Sequence, residues 1–242
     1  MHQYHNKPRE QRLKSIIFGQ SLVAMIILLV TLYLVIYGFG YKIDFKNRRV
    51  MHTGIIYLTY YPKDAEVIIN NETKDNSSPF DTALLPGNYD TKLKKDGYNT
   101  WVQNIAVVPD RVVSYKNVVL FKVQPEITIV TDKDSISSID APYDNLVKNP
   151  GGNLTSNNYE IWVGDKLITR FSKVITGVIW YPGMEYIAYQ QADEIRIIDK
   201  YGANDNLLVK LGSAQITKYI FSWDGSSLLY KDGQEYKRAV IN

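Results

Sequence analysis

The chain has 242 residues, enough for one or two domains, and no cysteine, which excludes disulfides, thiolate catalysis and cysteine-based zinc sites. Its net charge of +3 is unevenly placed: residues 1–53 carry eight Lys/Arg against Glu10 and Asp44, leaving 20 basic and 23 acidic residues for 54–242. A nucleic-acid partner requires a basic face on the folded part, and that part is slightly acidic, so no nucleic-acid partner is expected.

From Ser15 to Tyr41 no residue is charged, and Leu22–Ile36 is almost entirely aliphatic. A run of ~20 apolar residues spans a bilayer as a helix, because in hydrocarbon the backbone must satisfy its own hydrogen bonds. Tyr33, Tyr37 and Tyr41 approach the C-terminal end of the run, where tyrosines favour the interface. The run exceeds the ~7–15 apolar residues of a cleaved signal peptide, and Gly38-Phe39-Gly40 is a poor cleavage site. The expectation is an uncleaved transmembrane helix over 15–41, between a short cytoplasmic tail (1–14) and a juxtamembrane segment (42–53). Four basic residues and one acid lie on each side, so charge does not orient the span. The short tail favours N-in, C-out.

Residues 54–122 predict a small all-β domain. Strands are expected over Ile55–Tyr60, Ala65–Asn70, Asn88–Lys94, Thr100–Val108 and Val112–Lys122, each bounded by Gly, Pro, Asn or Asp. Tyr89, Thr91 and Leu93 alternate with Asp90, Lys92 and Lys94, which gives that strand one buried and one wet face. Pro86-Gly87 predicts a type II turn into it, and Asp96-Gly97 a tight turn out of it.

Gly54, Pro62, Ala65, Val67, Ile69, Asn70, Ser78, Pro79, Pro86, Gly87, Tyr89, Lys95, Gly97 and Tyr98 stand in the order and spacing of a known pattern. Over about 68 residues the segment resembles the PEGA domain. Two positions depart from that family. Its namesake tetrapeptide reads Pro62-Lys63-Asp64-Ala65, and its usual Asn/Asp-Gly turn reads Asn70-Asn71. Asp and Asn both tolerate left-handed backbone, so the turns survive. The resemblance implies a non-catalytic β-sandwich, outside the cytoplasm, often beside a membrane anchor, in a bacterial envelope.

Residues 123–158 are polar and broken by Pro125, Pro142, Pro150 and Gly151-Gly152, and read as a linker with irregular strands. Beyond them "IWYPGMEYIAY" (179–189) and "IFSWDGSSLLY" (220–230) align at a period of 41: Trp180 with Phe221, Ile187 with Leu228, Tyr189 with Tyr230. Glu160-Ile161-Trp162-Val163 similarly echoes Glu194-Ile195-Arg196-Ile197. A period near ~40–45 marks propeller blades. Residues 159–242 resemble WD-type and Tol-type β-propeller repeats. Propellers close with ~4–8 blades, and 126–242 has length for three at most, so an open stack or a shortened relative is expected. Open blades expose strand edges, which invite self-association.

Candidate chemistry is sparse. His2, His5 and His52 all precede residue 54, so 54–242 lacks a histidine for a triad or a metal pair. Two carboxylates suffice for a glycosidase, and Asp193, Glu194 and Asp224 are the best placed. Their neighbours make them turn residues first. "TDKDSISSID" (131–140) lacks the Gly and terminal Glu of a calcium loop and reads as a solvated loop. Trp162 and Trp180 read as strand-core packing rather than sugar platforms. The sequons at Asn71, Asn76 and Asn153 read as polar turns. No catalytic, cofactor or metal residue is assigned. The residues expected to define the fold are the turn residues Pro62, Pro86, Gly87, Gly97, Asp224 and Gly225.

These readings converge on an all-β protein: a small PEGA β-sandwich plus propeller-blade-like antiparallel sheets, preceded by one transmembrane α-helix. The expected role is a non-catalytic, membrane-anchored, extracytoplasmic module that binds an envelope protein or glycan, with no cofactor. The alternatives are a carboxylate-dependent envelope glycan hydrolase and a sensor ectodomain. The 14-residue tail is too short for a cytoplasmic output domain, which weighs against the sensor.

Overall fold

The computed structural model describes residues 9–44, 48–141 and 153–242. The expected N-terminal tail lies mostly outside these, as do Pro142, Pro150 and Gly151-Gly152. The chain divides into two compact units, Met1–Ile55 with Ala83–Gly87 and Val107–Val112, and Ile56–Thr82 with Asn88–Ala106 and Val113–Asn242.

In the first unit, helix α1 (Arg9–Gly38) contains a window, Lys14–Gly38, of 25 residues with mean hydropathy 2.5 and no buried side chain. At ~1.5 Å per residue this window exceeds the ~30 Å of a bilayer's hydrocarbon core. The helix stops at Gly38 rather than continuing to Tyr41, because Gly40 takes φ +78° and its amide bonds back to the Tyr37 carbonyl. Tyr41 instead opens a hairpin, β1 (Tyr41–Asp44) with β2 (Arg49–His52), in the register Tyr41↔His52 and Ile43↔Val50. The sequence reading contained no such hairpin.

The next seven strands make two sheets. They are β3 (Gly54–Tyr61), β4 (Glu66–Ile69), β5 (Glu72–Asp75), β6 (Phe80–Leu84), β7 (Gly87–Lys94), β8 (Trp101–Val107) and β9 (Val112–Val119), ordered β6-β3-β9 and β5-β4-β7-β8. Period-2 burial builds the core: Ile56, Leu58 and Tyr60 of β3, Val67 and Ile69 of β4, and Thr91 and Leu93 of β7 are buried. The expected wet-and-buried alternation of residues 89–94 is therefore observed. Val67 lies opposite Leu93, and both are fully buried. The β4–β5 turn places Asn70 at φ 50° and Asn71 at φ 65°, the left-handed pair that a two-residue hairpin demands.

Eleven more strands follow: β10 (Glu126–Ile129), β11 (Leu154–Ser156), β12 (Glu160–Val163), β13 (Lys166–Arg170), β14 (Ile175–Trp180), β15 (Tyr186–Gln191), β16 (Glu194–Asp199), β17 (Asn206–Lys210), β18 (Tyr219–Phe221), β19 (Ser227–Asp232) and β20 (Glu235–Val240). They form three sheets, β11-β12-β13, β14-β15-β16-β17 and β10-β20-β19-β18. The 41-residue repeat is structural: Trp180 pairs with Ile187, and Phe221 pairs with Leu228. The middle sheet is buried on both faces along β15, where Tyr186 through Gln190 are all buried with no alternation. Ile187, Tyr189 and Trp180 pack with Ile161 and Leu154 of the first sheet. Tyr186, Ala188 and Ile195 pack with Tyr219, Leu228 and Ala239 of the last.

Residues 131–140 are not the expected solvated loop. Helix α2 (Lys133–Asp140) forms there, capped by the Asp132 side chain, which accepts from the Ser135 amide at 2.8 Å. Ile136 and Ile139 stand three apart and pack with Ile220 and Leu229, covering the last sheet's remaining face. Among the described residues no sheet closes on itself, and a closed propeller is not shown.

Within the second unit, Val119 of β9 packs against the core of the last two sheets. Phe121 belongs to the cluster of Tyr181, Tyr186 and Tyr219. The Asn204 amide side chain accepts from the Val102 N–H at 2.8 Å and donates to the Val102 carbonyl at 3.1 Å, acting as a one-residue strand partner for β8.

Candidate functional site

The repeat's two hairpin turns meet in one cluster. Tyr181 begins the first turn, and its carbonyl accepts from the Met184 amide at 3.0 Å. The Tyr181 hydroxyl donates to the Gly225 carbonyl of the second turn at 3.0 Å and accepts from the Asn242 side chain at 2.9 Å. Burial pushes this hydroxyl well above the ordinary phenol range, so it keeps its proton at neutral pH.

The second turn, Ser222–Ser227, is held by its own side chains. Asp224 accepts from the hydroxyls of Ser222 (2.6 Å) and Ser226 (3.0 Å) and from the Ser226 amide (3.1 Å). The Ser222 and Ser226 donors keep the Asp224 carboxyl below its usual range. Gly225 takes φ +74°, and a Cβ there would collide with the hydroxyl end of Tyr181. On this fixed turn Trp223 is 93% exposed. A tryptophan held out on a hydrogen-bonded turn loses little entropy on binding, and aromatic residues of this kind dominate interface energetics. The sequence reading weighed Trp162 and Trp180 but not Trp223. The signal was local: a tryptophan between Ser222 and an Asp-Gly turn occupies a position core residues rarely take.

The other expected turn residues are dispersed. Pro62 follows a cis peptide bond, and its carbonyl accepts from Ala65 at 3.2 Å. Gly97 has φ +80° in a turn closed by Tyr98 N–H to Lys95 O at 3.1 Å, as Asp96-Gly97 predicts. Pro86-Gly87 is not a type II turn. Gly87 has φ 159°, essentially extended, because it already belongs to β7.

The candidate carboxylates do not converge. Asp193 lies 3.5 Å from Lys210. Glu194 pairs with Arg196 at 2.8 Å, and Arg196 also meets Asp205 at 3.1 Å. Asp224 is engaged in its turn, on a different sheet. Trp162 donates to Glu160 at 3.1 Å, and Trp180 is buried, its indole N–H without a partner among the described residues. No group of three metal-ligating side chains occurs among the described residues.

The sandwich of β3 to β9 carries the decisive comparison. Residues 53–120 match the family model of the PEGA domain. The resemblance read from Gly54 through Tyr98 thus holds over this span. Gly54 itself illustrates why the PEGA pattern keeps a glycine: a Cβ there would collide with the Val108 carbonyl and the Val107 side chain. No curated protein matches the chain.

Proposed function

We propose that this chain is a single-pass, membrane-anchored envelope protein, and that its β region stands outside the cytoplasm as a non-catalytic binding module. The observation that carries the reading is α1, with no side chain of its apolar window buried. Bare aliphatic surface of that length is stable in lipid and costly in water. The PEGA match at 53–120 supports the extracytoplasmic side, since such domains are typically found there. A cleaved signal peptide passes the same length test, and the N-terminus of the mature protein separates the two.

The binding role rests on Trp223. The partner is an envelope protein or glycan, and the tryptophan is its anchor. The three C-terminal sheets act as an open stack of blade-like units that displays this turn. Asp193, Glu194 and Asp224 serve as turn and ion-pair residues, which argues for binding without turnover. The test is crosslinking in intact cells from a photoreactive residue at position 223, with position 71 as control. A partner captured from 223 but not from 71, and co-purified by the native chain but not by its Trp223→Ala variant, is the expected result. Turnover of envelope glycans that vanishes with Asp193→Ala, Glu194→Ala or Asp224→Ala would overturn it in favour of the hydrolase.

A further inference from the structure

The first unit contains a cleft that the binding role does not use. Between the last turns of α1 and the β1–β2 hairpin lies a cavity of about 270 Å³, walled by Tyr33, Tyr37, Tyr41, Ile43, Val50 and Lys42. The hairpin register explains the wall. Tyr41, Ile43, Val50 and His52 fall on one face, while Lys42, Asp44, Arg49 and Met51 fall on the other. The apolar face therefore turns toward the helix without closing against it: Ile43 remains 42% exposed, Val50 55% and Tyr37 58%.

Three features indicate what covers this face. First, it is continuous with the apolar surface of α1, whose stacked pair Tyr33–Tyr37 (6.3 Å between centroids) sits at the end of the span. Aromatic rings at such an end favour the headgroup layer. Second, the hairpin is fixed at its base. The Thr53 amide and hydroxyl both bond the Gly40 carbonyl at 2.9 Å, Lys42 Nζ bonds the Ala83 carbonyl at 2.5 Å, and His52 pairs with Asp110 at 2.9 Å and packs tilted against Tyr41, 3.8 Å between ring centroids. The apolar face is thus held open by structure. Third, residues 42–53 carry Lys42, Lys46, Arg48 and Arg49 against Asp44 alone. Arg48 and Arg49 are exposed. Basic residues beside an apolar face at the end of a span complement anionic headgroups.

We propose that the cleft binds an anionic phospholipid of the leaflet from which α1 emerges. Its acyl chain lies on the Tyr37–Ile43–Val50 wall and its headgroup meets Arg48 and Arg49. The hairpin is then a foot seated in the membrane interface, and it sets how the span continues into the folded region. This inference rests on the reading of α1 as an anchor.

The native chain has no cysteine, so single-cysteine variants of the full chain place probes cleanly. Val50→Cys, Leu28→Cys and Asn71→Cys would each be labelled with an environment-sensitive fluorophore and reconstituted in phosphatidylcholine vesicles, with and without phosphatidylglycerol. Quenching by a headgroup-borne nitroxide is compared with quenching by aqueous iodide. At position 50 the nitroxide should dominate, and phosphatidylglycerol should strengthen it. Arg48→Gln and Arg49→Gln should each lower the apparent affinity for phosphatidylglycerol about fivefold. Ile43→Cys gives a second probe of the same face should labelling at 50 disturb the hairpin. Iodide quenching at 50 and 43 equal to that at 71, with position 28 shielded, overturns the lipid site and leaves the anchor standing. No dependence on phosphatidylglycerol also overturns it. Iodide access at position 28 overturns the anchor, and the lipid site falls with it.

Discussion

The Tyr186 hydroxyl accepts from the Val119 amide at 2.9 Å and donates to the Val119 carbonyl at 3.1 Å. One phenol on β15 thus satisfies both backbone groups of the last residue of β9. Burial raises the Tyr186 pKa far above the ordinary phenol range, so the hydroxyl keeps its proton at neutral pH. Tyr186→Phe keeps the ring and strands both Val119 groups. An unpaired buried polar group costs ~1–3 kcal/mol, so a loss of at least this size is expected in denaturant unfolding of the full chain in detergent. A loss below about 0.5 kcal/mol, typical of surface changes, would mean that water replaces the hydroxyl and the contact is not buried.

Two glycines with left-handed φ should respond differently to alanine. Gly97 (φ +80°) has open space where a Cβ would go, whereas at Gly225 (φ +74°) the Cβ meets Tyr181. Gly97→Ala should cost only backbone strain, ~1 kcal/mol. Gly225→Ala adds a clash in a packed cluster and should cost ~1–3 kcal/mol more. Thermal melts of both variants test the order. Equal losses would mean that the Tyr181 ring moves aside freely.

Asp232 and Lys237 give a pH-dependent term. Asp232 accepts from Lys237 Nζ at 2.9 Å and from the Gly212 amide at 2.9 Å, and the Lys237 bond lowers its pKa from 3.8. Its stabilisation is therefore present above that unfolded value and is lost as pH falls through the lower folded value. Lys237 is raised from 10.5, chiefly by Asp232, so its stabilisation is complete below 10.5 and is lost as pH rises beyond the folded value. Asp232→Asn should destabilise at pH 7 and do so much less at pH 2–3. A penalty independent of pH would show that the amide hydrogen bond, not the charge, carries the interaction.

The orientation of the anchor is open to direct measurement. Exposed positions Asn71 and Trp223, changed singly to cysteine, should react with a membrane-impermeant maleimide on intact cells. Reaction only after the membrane is broken would reverse the topology. A mature chain beginning after Gly40 would replace the anchor by a signal peptide.

Local chemistry decided much of this protein before any tertiary contact formed. The uncharged run from Ser15 fixes a helix long and apolar enough to cross a membrane. Alternation in Tyr89–Leu93, the left-handed tolerance of Asn70-Asn71 and the Asp96-Gly97 turn specify the PEGA sandwich, since each is a constraint within a few residues. The 41-residue repeat likewise set the shared register of Trp180↔Ile187 and Phe221↔Leu228. Tertiary structure decided the rest, because it turns on partners distant in sequence. Residues 133–140 are helical because Ile136 and Ile139 find the last sheet, nearly a hundred residues on. Glu126–Ile129 is a strand because Lys237–Val240 offers it an edge. Gly87 is extended because β7 claims it from the turn. Trp223 stands outside on a turn that packs Gly225, not the tryptophan, against Tyr181. The cleft between α1 and the β1–β2 hairpin exists because the hairpin folds back on the helix end, a geometry no run of eight or ten residues encodes.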